Sequence, residues 1–423
     1  MAYPTQDAIR TMLPYWVRMS LVFGAASSAA VQLLAEYESP KELLDAMERG
    51  CVPNVPQNVM KTLMKCNLSQ AESLVCYCEK NGIALISMED ARYPESLMMI
   101  PTPPLLLSAK GNLDLLRTVP SITIVGTRHP SDYSVQVTQT LVTELAADGL
   151  RIVSGFARGI DYAAHTAALD AGAETVAVLG CGVNVNYPKE NDTLKMRMLE
   201  SGKGLLLSEY LPGTQPIPAN FPRRNRILSG LTQGTAVIEA AMRSGSLSTA
   251  QYALAQGKYL FCVPPHDLFD PRYAGVIPLL RDDAFGLYSH RDVIYYYLKD
   301  FPMELTFDAN EVRPSESFVF AEEAAEVQKE ESTTQASRST AKGSAADDKI
   351  EKQDDVPVQS SLPLPEGEAE RQIVAYLREH GQKQVNVIAD ALDMEMSELL
   401  SILTMLELDG FAESLFGKQY RAL

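Results

Sequence analysis

Apolar positions in residues 1–81 recur every three or four places and are broken by Pro, Gly and Asn, as in AIRTMLPYWVRMSLVFG, SSAAVQLLAEY, SPKELLDAMERG, NVMKTLMKC and LSQAESLVCYCEKNG. That period is helical, and the breaks divide it into five short helices. Ser39-Pro40 followed by Glu42 marks a helix start, with proline in the first turn. The spacing therefore predicts a small helical bundle over 1–81. From Gly82 the pattern changes. IALISM and PLLLSAKG read as short strands around DARYPESL. Apolar runs then alternate with helical segments: ITIVGTR and SVQVTQTLVTELAADG, RIVSGFA and GIDYAAHTAALDAG, TVAVLGCG, GLLLSEY, TAVIEAA and SLSTAQYALAQG, and YLFCVPP. Strands alternating with helices, and apolar throughout, predict a parallel sheet covered on both faces. The fold class over 82–303 is α/β, a Rossmann-like doubly wound sheet.

Beyond 303 the periodicity fails. Residues 304–365 are rich in Glu, Asp, Ser, Thr, Gln and Ala, the composition of an acidic, disordered linker. Order returns in 366–423, where three helical segments followed by a β-wing predict a winged-helix-like domain. Its candidate recognition helix, MSELLSILTMLELDG, has no Lys or Arg. A helix that grips duplex phosphates needs cations, so a protein-contact or autoinhibitory role is expected here in place of DNA binding.

The formal charge of −17 argues against a nucleic-acid binder only until it is located. Residues 304–370 hold 17 acidic against 6 basic groups, whereas 120–303 hold 17 against 16. Local clusters therefore decide what the central region binds. The six cysteines form no CxxC pair, and the five histidines have no metal-ligand spacing; neither a zinc site nor a disulfide framework is expected. The uncharged run 19–35 contains Gly24, Ser27, Ser28 and Gln32 and is too short and polar to span a membrane. No targeting segment is evident, so the cytoplasm is the expected location.

Candidate chemistry concentrates where strands run into helices, the edge on which open α/β sheets bind ligands. Gly126-Thr127-Arg128 follows the first central strand, Gly155 and Arg158 follow the second in SGFARG, and Gly180-Cys181-Gly182 follows the third. Small residues let a ligand approach the backbone, and helix N-termini favour anions. The third loop adds Asn184, Asn186, Tyr187, Lys189 and Asn191; a tyrosine beside a lysine suits the stacked bases and phosphates of a single strand. Residues 221–250 supply Arg223, Arg224, Asn225 and Arg226, then a strand, then the hydroxyl-rich helix start with Ser246 and Thr249. The GxGxxG dinucleotide fingerprint and the GxxxxGKS/T phosphate loop are absent. Asp161 and His165 read as capping and packing residues, and no catalytic pair, metal site or cofactor is predicted.

Taken together, GTR, SGFARGID, VLGCG with NYPKEN, FPRRNRILSGL and VIEAAMRSGSLSTAQYALAQGKYLFCVP resemble the DNA-processing protein A (DprA, or Smf) family. The resemblance implies a non-catalytic single-stranded DNA-binding mediator that protects incoming DNA and loads RecA during natural transformation. It also implies a homodimer formed through the Rossmann-like core. Arg128 and Lys189 match the family's main DNA-contacting cations, Arg224 and Arg226 its FPxRNR motif, and Ser246 and Thr249 its GSLxTA helix start. Arg223 occupies a variable position and is included for its charge. The chain departs from the family after Val263, where Pro265 replaces a glycine. A rival reading comes from QGTAVIE, which partly echoes the GGxGTxxE signature of phosphoribohydrolases. Its Glu239 would be the acid of a nucleotide-processing enzyme, but is expected instead to support nearby arginines.

Overall fold

The structure, a computed structural model, describes residues 6–53 and 55–305, and further on 368–381, 383–392, 394, 399, 402, 403, 406, 411–415 and 419–422. The chain divides into two compact units, Met1–Ser339 and Thr340–Leu423. The expected linker 304–365 lies almost wholly outside the described residues.

The first unit opens with five helices: α1 (Gln6–Phe23), α2 (Ser28–Leu34), α3 (Pro40–Glu48), α4 (Gln57–Leu63) and α5 (Leu68–Lys80). Ser39 caps α3 by accepting from the Glu42 amide, and Pro40 takes its first turn. Strands follow as β1 (Ala84–Ser87), β2 (Leu106–Gly111), β3 (Ser121–Val125), β4 (Arg151–Ser154), β5 (Thr175–Val178), β6 (Gly204–Ser208), β7 (Gly234–Val237), β8 (Tyr259–Cys262) and β9 (Phe285–Gly286). They form one sheet in the order β1-β2-β6-β5-β4-β3-β7-β8-β9. From β6 to β9 every pairing is parallel, while β2 runs antiparallel to both β1 and β6. The strand order reverses between β3 and β7, which is the switch point where such sheets open a crevice.

Helices cover both faces because the strand residues are buried on both. On one face lie α10 (Asn220–Leu231) and α11 (Ser246–Ala255), with Ile227, Leu228 and Ala250 packed on Val125, Val178 and Val237. On the other lie α7 (Asp132–Ala147), α8 (Ile160–Asp170) and α13 (His290–Tyr297), with Leu141, Ala164 and Ile294 packed on Ile122, Ile124 and Ile152. A third core joins the helical bundle to the sheet: Trp16, Leu43, Leu44 and Met47 share it with Phe156, Leu179, Cys181, Leu206 and Leu211. The expected boundary at 81/82 is therefore no break in the packing. The run 19–35 is divided between α1 and α2, and among the described residues no helix is long and apolar enough to cross a membrane.

In the second unit, α14 (Glu368–His380) and α15 (Val385–Leu392) accompany a three-stranded antiparallel sheet of β10 (Lys383–Gln384, between the two helices), β11 (Ala412–Leu415) and β12 (Gln419–Ala422). Its core of Ile373, Leu377, Ile388, Leu399, Leu403 and Leu406 is its own. Most of the expected recognition helix, 396–410, lies outside the described residues.

Candidate nucleic-acid interface

The switch point opens into a groove of about 710 Å³ above the carboxyl ends of β3, β4 and β7. Gly126, Thr127, Arg128 and His129 line it from β3, Ala157 and Asp161 from the β4–α8 turn, and Tyr187 from the loop after β5. Phe221, Pro222, Arg224 and Asn225 close one side, and Arg243 to Ser246 with Thr249 the other. Phe221 gathers three of these side chains around its ring. The Arg128 guanidinium lies 5.7 Å and that of Arg224 6.0 Å from its ring centre, within cation–π range. Tyr187 tilts against it at 5.6 Å. Phe221 was not among the residues singled out from sequence, although its place directly before the arginine cluster is the signal that could have found it.

Helical geometry sorts the arginines of FPRRNR. Because the segment is α10, neighbouring side chains point different ways. Arg223 is exposed. Arg224 is buried beneath Phe221, where its Nη1 donates to the carbonyls of Gly155 and Val178. Burial pushes its pKa down to about 10, against the pull of the nearby Asp161 carboxylate. Arg226 points away from the groove and clamps Glu209 with both terminal nitrogens, at 2.9 and 2.6 Å, while Nε donates to the Thr102 carbonyl. With side chains only 3% and 7% exposed, that pair is structural. Arg226, expected as a DNA contact, is turned away from the groove and its guanidinium is held by a buried carboxylate.

Several other expected contacts also have structural duties. Asn225 Nδ2 donates to Ser248 Oγ and the Gly245 carbonyl, joining α10 to the start of α11. Asn191 is buried and donates to the carbonyls of Phe156 and Ala157, so it holds the β4 loop and does not reach the groove. Ser246 and Thr249 are buried but line the groove. Arg158 is half-exposed and paired with Glu190 at 3.3 Å. The loop glycines are required by packing. A Cβ on Gly155 would stand 2.7 Å from both Arg224 Nη2 and Asp161 Oδ2, and one on Gly180 would stand 2.8 Å from the Phe221 ring. A Cβ on Gly126 would strike Ile160 at 2.6 Å. Between Gly155 and the Arg158 turn, Phe156 takes a left-handed φ of 60°. That costs a residue with a Cβ roughly 1–2 kcal/mol, offset by burying its ring in the core shared with the helical bundle.

Asp161 caps its own loop, accepting from the Ala157 amide, and burial raises its pKa despite the Arg224 charge. His165 is fully buried with Nδ1 2.7 Å from Thr175 Oγ1. Burial and then the Arg224 charge push it down to about 3, so it is neutral. Glu239 supports no arginine of the cluster. Its Oε2 accepts from the amide and hydroxyl of Ser131, the cap of α7. The atypical segment after β8 folds back on the sheet: Gly275 donates to the Ala240 carbonyl, and the buried Tyr273 hydroxyl meets Ser131 and Ser134.

Arg128, Lys189, Arg223 and Arg243 are exposed, and none has a carboxylate partner among the described residues. Arg128 and Arg243 line the groove, Arg223 directly follows the groove-lining Pro222, and Lys189 lies two residues beyond the groove-lining Tyr187. Most other arginines of this unit are neutralised, among them Arg10, Arg18, Arg92, Arg117, Arg151 and Arg197.

Residues 84–298 match the family model for DNA recombination-mediator protein A. The chain belongs to this family. It is 42% identical over 220 residues to the DNA processing protein DprA of Bacillus subtilis, a match covering 52% of this chain and 73% of that one. The Streptococcus pneumoniae DNA processing protein DprA is 42% identical over 208 residues, 49% of this chain and 72% of its own. A crystal structure of DNA processing protein A from Streptococcus pneumoniae superposes with a TM-score of 0.57 at 33% identity, covering 70% of this chain and 99% of that one. The matched span contains every groove residue named above.

Proposed function

We propose that this chain binds single-stranded DNA along the groove, without sequence preference and without catalysing a reaction. The observation that carries this reading is a groove lined by Arg128, Arg243, Tyr187 and Phe221, with the exposed Arg223 and Lys189 close to it in sequence, all four cations lacking a carboxylate partner among the described residues. Phosphates want such charges, and exposed base faces want rings such as Tyr187 and Phe221. The reading extends to a mediator that protects incoming strands and loads RecA during natural transformation, working as a homodimer in the cytoplasm; membership in the recombination-mediator family supports this part. Glu239, the acid that a phosphoribohydrolase would need, is fully buried and committed to Ser131, which speaks against a nucleotide-processing enzyme.

The test is anisotropy with labelled oligo-dT across a salt series. Arg128→Ala and Lys189→Ala should each weaken binding and lower the slope of log K against log salt by about 1. Wild-type affinity in the double variant sinks the reading. Release of free base from nucleoside monophosphates would favour the enzyme instead.

A further inference from the structure

We infer that the N-terminal helical bundle is a brace that sets the positions of the groove's walls, with Glu209, Tyr77 and Asn184 as its positioning residues. Three independent ties run from the bundle to the groove. The first reaches α10, which carries Phe221, Arg223 and Arg224. Glu209 Oε1 accepts from Arg226 at 2.6 Å and also from the amide of Ala26 at 3.0 Å. Ala26 lies in the turn between α1 and α2 and holds a left-handed φ of 58°. One buried carboxylate is thus shared between the arginine helix and the bundle.

The second tie reaches the loop that bears Tyr187 and Lys189. Asn184 Oδ1 accepts from the Gly213 amide at 2.7 Å, and Asn184 Nδ2 donates to the Tyr77 hydroxyl of α5 at 3.0 Å. The third lies under the groove floor. Phe156, Leu179 and Cys181, which directly follow β4 and β5, are buried in the same core as Trp16, Leu43 and Met47. Loops are ordinarily the mobile part of an α/β sheet. Here two of them, and the helix beside them, are anchored to a body outside the sheet. Pre-positioned cations lose less freedom when a strand is bound, so the brace contributes to affinity without touching DNA.

The inference about the brace is structural, and its consequence for affinity rests on the single-strand reading above. Tyr77 is partly exposed, so Tyr77→Phe removes one hydroxyl without opening the core. In full-length, DNA-free protein, hydrogen exchange of the backbone amides in 184–191 should rise in Tyr77→Phe and in Asn184→Ala, with the melting temperature of Tyr77→Phe unchanged. Unaltered exchange in both variants overturns the brace, whatever the protein binds. With oligo-dT, Tyr77→Phe should weaken binding roughly 2- to 10-fold, the range for one lost hydrogen bond, with no change in the salt slope because no phosphate contact is lost. Its effect should also shrink in a Lys189→Ala background, because part of it acts through that side chain. A reduced slope, or losses that simply add, would mean that Tyr77 acts other than through the loop. A wild-type chain that ignores oligo-dT would remove the single-strand reading and leave the exchange result to judge the brace.

Discussion

At the residue scale, the three arginines of the cluster differ in what they can do because they differ in what already satisfies them. Arg226 and Glu209 form a buried pair, and removing one partner of such a pair strands the other's charge. Arg226→Ala should therefore destabilise the fold by about 3–5 kcal/mol, read from urea unfolding. Arg128→Ala, on an exposed side chain, should stay within about 0.5 kcal/mol of wild type. Equal stability of the two variants would contradict the separation of roles drawn here. Gly155 is the complementary case. Its missing Cβ is the space that Arg224 and Asp161 occupy at 2.7 Å, so Gly155→Ala should cost roughly 1–3 kcal/mol. It should also displace Arg224 from the groove floor. A variant as stable as wild type would show that this contact relaxes freely.

At the scale of elements, α8 and its neighbours explain a pH dependence. His165, on α8, has its pKa pushed down to about 3 by burial and then by the Arg224 charge. The folded state therefore takes up its proton later than the unfolded chain, whose histidine titrates near its ordinary value of about 6.5. The stability from this group is complete above that value and is lost as pH falls from there towards 3. At pH 5 the loss is about 2 kcal/mol. His165→Gln should remove this component, so the gap in unfolding free energy between wild type and variant should narrow as pH drops from 7 to 5. A constant gap would mean that the histidine titrates normally. Asp161, whose pKa burial raises, shifts stability the opposite way and is unchanged in both proteins, so it cancels in the difference.

For the whole molecule, net charge is a poor guide to binding because the negative excess lies in 304–370, not in the groove. The second unit has its own core, built from Ile373 to Ala412. Its charged surface includes no arginine or lysine from the expected recognition helix. A chain ending at Leu305 should therefore bind oligo-dT within about twofold of the full chain, the spread of a change under half a kcal/mol. A loss of tenfold or more would assign the second unit a direct part in binding.

The alternation of apolar runs and helical segments made the doubly wound sheet legible, because strands buried on both faces are predominantly apolar. It also identified the strand ends that carry Arg128, Tyr187 and Lys189, since loop positions follow from strand positions in such a sheet. Composition located the acidic excess for the same local reason. What sequence could not decide was which way each side chain of a contiguous cluster points. Arg223, Arg224 and Arg226 are alike as letters. Only the helical rotation of α10, set by its packing on Leu97 and Ile100 through Gly230, sends one to solvent, one beneath Phe221 and one to Glu209. The joining of the bundle to the sheet was equally hidden. Its ties, Ala26 to Glu209 and Tyr77 to Asn184, span more than a hundred residues, and contacts at that separation leave no periodic trace along the chain.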